Sequence, residues 1–225
     1  MYSYKALNIK TLFSKEYNHL LMLLFWPLQF LLFCLEESVL PLKFHTVYSP
    51  LDDVIPFCEY FIIPYYLWYA FIVSMLVILA LKNVPEFKRY MLFVILSYGS
   101  TVIFYLIYPT QQLLRPESFA NDNLFTQMVA ELYRTDTNTN VCPSLHVIGQ
   151  MAAFFAAWRN PLGNKYVWRS VWLVSTVAVC MSTVMLKQHS IIDVWAGLGV
   201  SVVIYIAVYY GDRIIKYFKT KNADD

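Results

Sequence analysis

Six long apolar blocks constrain the fold of this 225-residue chain more than any other feature of its sequence. A helix that crosses the hydrocarbon core of a bilayer needs about 20 mostly apolar residues, and each block approaches that length. Their approximate bounds are Asn18–Leu35, Phe61–Leu81, Met91–Tyr108, His146–Trp158, Val171–Leu186 and Ile191–Tyr210. Charged residues make up 14% of the chain, well below the roughly 25% of a soluble domain. The sequence therefore predicts an all-α integral membrane protein in which residues 1–225 form one domain of six spanning helices.

The distribution of lysine and arginine between the blocks predicts the orientation of these helices. Basic residues favour the cytoplasmic side of a membrane, and here they concentrate in every second connection and in both terminal segments. They are Lys5, Lys10, Lys15, Lys82, Lys88, Arg89, Arg159, Lys165, Arg169, Arg213, Lys216, Lys219 and Lys221. The connections Glu36–Tyr60 and Pro109–Leu145 contain few basic residues. We therefore expect both termini in the cytoplasm and these two long connections outside, with Glu36–Tyr60 forming an ordered cap that contains short helices.

Charge and cysteine content argue against several classes of function. The net charge of +2 comes from basic residues scattered between apolar blocks, which gives no reason to expect nucleic-acid binding. The four cysteines are far apart and form no C-x-x-C pair, so neither a zinc site nor a redox motif is supported. Cys58 and Cys142 are predicted on the same side of the membrane and could pair, but two free thiols are the expectation. No metal or other cofactor is predicted.

Three polar clusters border the later apolar blocks, and all three lie on the predicted outer side. They are Leu114–Pro116, Cys142–His146 and Lys187–Asp193. Ionisable residues at the ends of spanning helices are costly, so function is their default explanation. In the third cluster, His189 and Asp193 are four residues apart, and on a helix that starts near Gln188 they would share a face and form a hydrogen bond. That bond would leave the other imidazole nitrogen free as a nucleophile; the alternative is a helix start at which both side chains merely face water.

The second cluster resembles the start of a helix that binds an anion. Proline is favoured at the first helical position, and here Pro143 is followed by Ser144, Leu145 and His146. The amides of these three residues would be unpaired donors at the positive end of the helix, where anions bind. His146 would be placed to protonate a departing alkoxide. The alternative is a helix cap with a solvated histidine.

Arg115 and Lys187 are the cations within these clusters. The planar guanidinium of arginine suits two phosphate oxygens, and lysine supplies a point charge. The alternative for each is a cation that extends from the bilayer towards water. Two histidines, a carboxylate, two cations and a helix N-terminus together predict a phosphoryl-transfer site that needs no metal, because Asp193 is the single carboxylate near the histidines.

At these residues the sequence resembles the type 2 phosphatidic acid phosphatase family, within the superfamily that includes the vanadium haloperoxidases. The family motifs are K-x6-R-P, P-S-G-H and S-R-x5-H-x3-D. The matching residues are Arg115-Pro116, then Pro143-Ser144-Leu145-His146, then Ser182, His189 and Asp193. The chain has Tyr108 and Thr183 where the family has a lysine and an arginine, and Leu145 where it has glycine. With Asp53–Pro56 and Pro64–Tyr69, the motifs resemble the branch that contains inositol phosphorylceramide synthases, and the resemblance covers about Asp52 to Gly199.

The resemblance implies a bundle of six helices with a catalytic core at about residues 109–199 and a site at the outer ends of the last three helices. His189 would attack phosphorus and form a phosphohistidine, Asp193 would orient it, and His146 would protonate the leaving oxygen. The remaining site residues would hold the phosphate oxygens, with one of them replacing a missing family cation. These residues are Arg115, Lys187, Ser144 and Leu145, and Lys187 would replace the missing cation.

We therefore expect a metal-independent lipid phosphatase that hydrolyses a lipid phosphate monoester or diphosphate at the extracytoplasmic face of the cell membrane. One alternative is a lipid phosphotransferase that passes a phospho-headgroup to an alcohol, as inositol phosphorylceramide synthases do. An alternative of another class is a non-catalytic membrane protein or transporter. Haloperoxidase activity is not expected, because those relatives are soluble. The expected partners are a phospholipid or other lipid phosphate and the bilayer; the sequence predicts neither the lipid nor the oligomeric state.

Overall fold

The computed structural model of the chain describes residues 2–39 and 43–224. Helices α1 to α9 span Ile9–Leu12, Phe25–Val39, Pro50–Val54, Ile62–Lys82, Val84–Ile107, Leu124–Thr135, Leu145–Arg159, Lys165–Met185 and Ile191–Asp224. Short 3-10 helices cover Asn18–Leu24 and Glu59–Phe61, and β1 (His45–Thr46) pairs in parallel with β2 (Thr110–Gln111). The all-α prediction is confirmed, because 71% of the chain is helical and the strands that the structure describes are two residues long.

Within the described residues, five helical segments are long enough and apolar enough to cross a membrane, as expected of an integral membrane protein. They are Asn18–Leu35, Glu59–Lys82, Val84–Ile107, Lys165–Met185 and Ile191–Gly211. The fourth apolar block forms α7, which has 15 residues. Its length of about 22 Å is less than the roughly 30 Å of a hydrocarbon core. The predicted number of six spans therefore depends on where α7 lies in the bundle.

Helices α5 and α8 begin several residues before the apolar blocks that predicted them, because asparagine side chains cap their first turns. Asn83 accepts a hydrogen bond from the amide of Glu86 at 3.2 Å, and Asn164 accepts from the amides of Tyr166 and Val167. Such caps satisfy amides that have no partner within the helix. Each helix thereby gains a polar first turn that the apolar pattern alone did not predict.

Helix α7 lies at the centre of the bundle, where it packs against α4, α5, α8 and α9. Small residues allow neighbouring helices to approach closely, and the buried positions of α7 include Gly149, Ala152, Ala153, Ala156 and Ala157. A Cβ atom at Gly149 would lie 2.9 Å from the Trp68 ring and would also overlap the Tyr98 hydroxyl. Since protein surrounds α7, its length need not match that of the hydrocarbon core.

Contacts between the connections define two opposite ends of the bundle. At one end, the amide of Tyr2 donates to the carbonyl of Leu81 at 2.7 Å, and Asn83 donates to Asn160 at 2.7 Å. The N-terminal arm therefore meets the end of α4, and the turn that joins α4 to α5 meets the turn that joins α7 to α8. At the other end, β1, which follows α2, pairs with β2, which follows α5. Helix α7 connects the two ends, because Asn160 lies at one end and the start of α7 lies at the other.

The connections at the second end are folded over the bundle. The expected cap between the first two long helices contains β1, α3 and the turn at Glu59–Phe61, while Leu40–Leu42 lie outside the described residues. The next long connection contains β2 and α6, whose buried Val129 and Leu132 pack with Tyr65 of α4. Below these connections the start of α7 is recessed: the hydroxyl of Tyr98, well before the end of α5, donates to the carbonyl of Leu145 at 3.1 Å.

Candidate active site

His189 and Asp193 form a buried pair at the start of α9. The Nδ1 atom of His189 lies 3.2 Å from Oδ2 of Asp193, and the same oxygen accepts a hydrogen bond from the amide of Ser190 at 3.0 Å. Asp193 is fully buried and His189 is 7% exposed. The helix begins at Ile191 rather than near Gln188, so His189 lies in the connection before α9. The predicted hydrogen bond is present, although the two residues do not share a helix face as the sequence suggested.

His146 faces this pair from the first turn of α7. The centroids of the His146 and His189 rings are 5.9 Å apart, and the rings are inclined at 64°. The His146 ring also packs against Tyr65 and Trp68 of α4, each with a centroid separation of 4.5 Å. Its Nε2 atom is buried and has no hydrogen-bond partner among the described residues. The structure thus brings together the two histidines and the carboxylate that the sequence singled out.

The start of α7 offers fewer free amides than predicted. The amide of Ser144 donates to the carbonyl of Asp193 at 3.1 Å, and the Ser144 hydroxyl accepts from the amide of Val147 at 3.4 Å. Ser144 is fully buried, so it caps α7 and joins it to α9 instead of facing the pocket. The amides of Leu145 and His146 have no acceptor within the described part of the chain. These two remain available to an anion at the positive end of the helix.

The guanidinium of Arg115 lies behind one wall of the site and contacts protein groups. It donates to the carbonyls of Tyr133 at 3.0 Å and Asp136 at 2.6 Å, and to the side-chain oxygen of Gln188. It also lies over the Tyr133 ring, 4.4 Å from its centroid. Arg115 therefore reaches the pocket through Gln188, whereas the sequence predicted direct contact with phosphate.

The side chain of Lys187 reaches the segment around α3 and does not line the pocket. Its backbone has a φ of 53°, and its ammonium donates to the carbonyls of Asp52 at 2.6 Å and Ile55 at 2.5 Å. Burial lowers the pKa of Lys187, and the carboxylates of Asp52 and Asp53 oppose that shift. The placement differs from the predicted one because α3 and the residue after it, whose position the sequence did not reveal, supply the acceptors of the ammonium group.

A small pocket opens beside the two histidines. Its lining consists of Phe33, Tyr105, Asp136, Thr137, Thr139, Asn140, Val141, Leu145, His146, Gln188 and His189. Sequence reasoning missed Asp136, whose Oδ2 accepts hydrogen bonds from Tyr65 at 2.6 Å and Gln188 at 3.3 Å. It also missed Asn140, whose buried Oδ1 has no partner among the described residues. Among the residues that the structure describes, no lysine or arginine lines this pocket.

An apolar groove leads from this pocket along the membrane-facing surface between α2 and α4. Its upper part, about 1040 Å³, shares Phe33, Asp136, Leu145 and His146 with the pocket. Its lower part, about 670 Å³, is lined by Leu23, Trp26, Trp68, Tyr69, Ile72, Val73 and Leu76. Trp26, Trp68 and Tyr69 line both parts. The groove therefore connects the hydrophobic flank of the bundle with the histidine pair.

Other polar groups near the site bear on its chemistry. Cys142 lies close to Asp193, and burial together with this carboxylate raises the pKa of its thiol to about 12. Cys58 and Cys142 are both free cysteines. Within the described residues, no three histidine, cysteine or acidic side chains are grouped so that they could hold a metal ion.

Comparison with protein-family models, with curated proteins and with solved structures gives no match for this chain. The resemblance to the phosphatase family therefore rests on the motif residues themselves. The geometry of those residues is the basis for assigning a function.

Proposed function

We propose that this protein is a membrane enzyme that removes the phosphate group of a lipid phosphate through a phosphohistidine at His189. The observation that carries the proposal is the pair of imidazoles, 5.9 Å apart, at the point where an apolar groove meets a polar pocket. One imidazole is held by a buried carboxylate and the other has a buried nitrogen without a partner. Two histidines in these different settings suit a nucleophile and a proton donor.

The reaction would proceed in two steps. The Nδ1–H group of His189 would donate a hydrogen bond to Asp193, which leaves the Nε2 lone pair to attack phosphorus. The N–P bond would form as the bond between phosphorus and the leaving oxygen breaks. His146 gives a proton to that oxygen, so the lipid alcohol leaves neutral. In the second step His146 accepts a proton from water, whose oxygen attacks phosphorus, and the N–P bond breaks to release phosphate. The amides of Leu145 and His146 are placed to stabilise the charge on the phosphate oxygens.

The apolar groove supports a lipid as the substrate. A hydrocarbon chain between α2 and α4 would contact Trp26, Trp68 and Tyr69, while its headgroup reached His146. A lipid chain that already lies in hydrocarbon gains no hydrophobic free energy here, but the groove gives it a path along which its headgroup can reach the pocket without exposing the chain to water. A water-soluble phosphate ester would gain nothing from this path, which favours lipid phosphates over soluble ones.

The proposed topology has six spans, with both termini in the cytoplasm and the site on the extracytoplasmic side of the cell membrane. Helix α7 counts as the sixth span because it connects the two ends of the bundle despite its 15 residues. The end that carries Asn83 and Asn160 also carries the connections rich in lysine and arginine. By the positive-inside rule this end faces the cytoplasm and the histidines face outwards.

The pocket lining favours a second candidate, transfer of a phospho-headgroup from a lipid phosphodiester to an alcohol. A phosphate monoester carries nearly two negative charges at neutral pH, and charge in a partly desolvated pocket is costly unless it is paired. The described lining offers a carboxylate, amides, hydroxyls and two imidazoles but no lysine or arginine. A diester with its single charge, and an acceptor with hydroxyl groups, match such a lining better than a monoester does.

Turnover of purified lipids tests the proposal. We expect the purified protein to release phosphate or an alcohol from a panel of lipid phosphate monoesters, diphosphates and diesters, with EDTA having no effect and vanadate inhibiting. Quenching in alkaline detergent should trap a phosphoenzyme that is stable in base, labile in acid and absent from His189→Ala. His45→Ala provides the control. His45 is exposed and stacks on Tyr108, so this variant should form the phosphoenzyme as wild type does.

The same experiment separates the alternatives. An added alcohol that becomes phosphorylated would identify a phosphotransferase, whereas exclusive transfer to water would identify a phosphatase. Failure to turn over any lipid, together with no detectable binding of vanadate, would favour a transporter. Loss of turnover in EDTA with recovery in zinc would replace the phosphohistidine scheme by a metal site.

A further inference from the structure

Asp52 is a buried carboxylate that lies far from the histidines in sequence but holds the connection that carries one of them. It belongs to α3 and is 2% exposed. Its Oδ2 accepts hydrogen bonds from the Ser190 hydroxyl at 2.6 Å and from the amide of Ser49 at 2.8 Å, and its Oδ1 accepts from the amide of Ile191 at 2.8 Å. Both oxygens therefore contact the segment that follows His189 or the turn that precedes α3.

These contacts make Asp52 a cap for α9 that comes from another part of the chain. The amide of Ile191 is the first of the helix and has no acceptor within it, and a negative charge at a helix N-terminus is stabilising. Asp193, in the same turn, binds the amide of Ser190 and the ring of His189. Ser190 is thus held by Asp52 through its hydroxyl and by Asp193 through its amide.

The same connection is fixed at its other end by the segment that contains Asp52. Lys187 donates to the carbonyls of Asp52 and Ile55, and the amide of Cys58 donates to the carbonyl of Met185 at 3.0 Å. His189 lies between these two attachments. Its ring position therefore depends on α3 as well as on Asp193.

We propose that Asp52 is a positioning residue that orients His189 through Ser190 and the first turn of α9. It does not line the pocket, so it acts on the reaction through the backbone of the connection. The kinetic consequences of this proposal rest on the function proposed above. Misplacement of a reacting group by about 1 Å can reduce the rate about a hundredfold. We therefore expect a change at Asp52 to alter kcat rather than KM.

Asp52→Asn tests this proposal, with Asp53→Asn as a matched control. Asp53 is the next residue, is exposed, and accepts a hydrogen bond from the exposed Tyr48. We expect Asp52→Asn to lower kcat about thirtyfold with KM within about threefold of wild type, and Asp53→Asn to leave both unchanged. Asp52→Glu, which keeps the charge, should recover part of the loss.

Ser190→Ala removes one of the three hydrogen bonds that Asp52 accepts. It tests the proposal if Asp52→Asn does not fold. We expect a loss in kcat of about fivefold, and the double variant should lose little more than Asp52→Asn alone, because both changes break the same attachment. Wild-type kcat in Asp52→Asn and Ser190→Ala would overturn the proposal. So would equal losses in Asp52→Asn and Asp53→Asn.

A readout without turnover separates this proposal from the proposed function. Diethyl pyrocarbonate modifies accessible imidazoles, and mass spectrometry gives the rate at each histidine. We expect Asp52→Asn to raise the rate at His189 severalfold and to leave the exposed His45 unchanged. If wild type turned over no lipid but this rate still rose, the proposed function would fail and the role of Asp52 would stand. An unchanged rate at His189 in a folded Asp52→Asn protein would contradict the role itself.

Discussion

At the scale of single residues, the two histidines differ in what surrounds them. The ring of His189 is tied to Asp193 at 3.2 Å, while that of His146 lies between aromatic rings and has a buried Nε2 without a described partner. A carboxylate stabilises the cation that forms when an imidazole attacks phosphorus. A ring without such a partner gives up its proton more easily. This difference is the reason for assigning attack to His189 and proton donation to His146.

The proposed role of His146 predicts a dependence on the leaving group. General acid catalysis contributes about a hundredfold or more when the leaving alcohol is a poor one, so His146→Ala should reduce turnover of an alkyl phosphate by at least that factor. The leaving group of a p-nitrophenyl ester needs little protonation, so His146→Ala should reduce turnover of this ester by about tenfold or less. Comparison of kcat for the two esters checks this expectation. Equal losses for both would show that His146 has another role, such as contact with phosphate.

Cys142 predicts a change in stability at alkaline pH. The folded protein holds its thiol at a pKa of about 12, above the ordinary value of 9.0. A raised pKa means that the folded state favours the protonated thiol, so the associated stability is complete below about pH 9 and is lost as the pH approaches 12. The thermal midpoint of wild type should therefore fall more steeply between about pH 9 and 11 than that of Cys142→Ser. Parallel curves for the two proteins would refute the expectation.

The sequence predicted the histidines and Asp193 as neighbours because their motifs combine a fixed spacing with a helix start. It did not predict the contacts of Lys187 or the roles of Asp52 and Asp136, since these depend on which residues of distant connections lie beside the site. Lys187 meets the carbonyls of Asp52 in α3 and of Ile55 just after it, which are 135 and 132 positions away along the chain. Asp136 lies in a polar run that has no periodicity. No local pattern distinguishes such residues from solvated ones.

At the scale of helices, the close approach of α9 to α7 sets the distance between the histidines. A Cβ atom at Gly197 would lie 3.1 Å from the carbonyl oxygen of Ser144 and 3.1 Å from Cβ of Val147. Both neighbours belong to the first turn of α7 or its cap. Glycine at this position therefore allows the two helix starts to meet.

Gly197→Ala should separate these helices by a few tenths of an ångström and reduce turnover. Since a 1 Å displacement can reduce the rate about a hundredfold, we expect a loss of about tenfold. Gly199→Ala is the matched control, because a Cβ atom there would meet nothing within 4 Å. Steady-state kinetics and thermal unfolding of both variants check this. If the two variants behaved alike, helix propensity rather than separation would be the cause.

The apolar blocks predicted the cores of the helices but not all of their ends. Asn83 and Asn164 extend α5 and α8 into charged connections, and an apolar pattern carries no signal for such caps. Helix α6 was not predicted as an element at all. Asn123 caps its first turn, and its buried side chains, Val129 and Leu132, pack with Tyr65 on α4, so both a local cap and tertiary contacts hold it.

At the scale of the whole molecule, the two ends of the bundle differ in charge, which predicts a sidedness that labelling can check. Asp122 and Asn164 are both exposed, at the site end and the basic end respectively. In a background with serine at the four native cysteine positions, Asp122→Cys should react with an impermeant maleimide added to intact cells. Asn164→Cys should react only after the membrane is permeabilised. The reverse pattern would place the histidines in the cytoplasm.

Under the proposed function, the recessed start of α7 would make the thickness of the surrounding bilayer part of the chemistry. The start of α7, next to His146, lies below the end of α5 rather than level with it, so in the proposed reaction the phosphate of a lipid would have to descend below that end of the bundle. A thin bilayer shortens that descent, while a thick one lengthens it and adds a cost of fractions of a kcal/mol for each ångström of mismatch. Two membranes of equal composition in headgroups but different chain length would thus present the same lipid to this pocket at different effective concentrations. The membrane that holds the protein would thereby also regulate it.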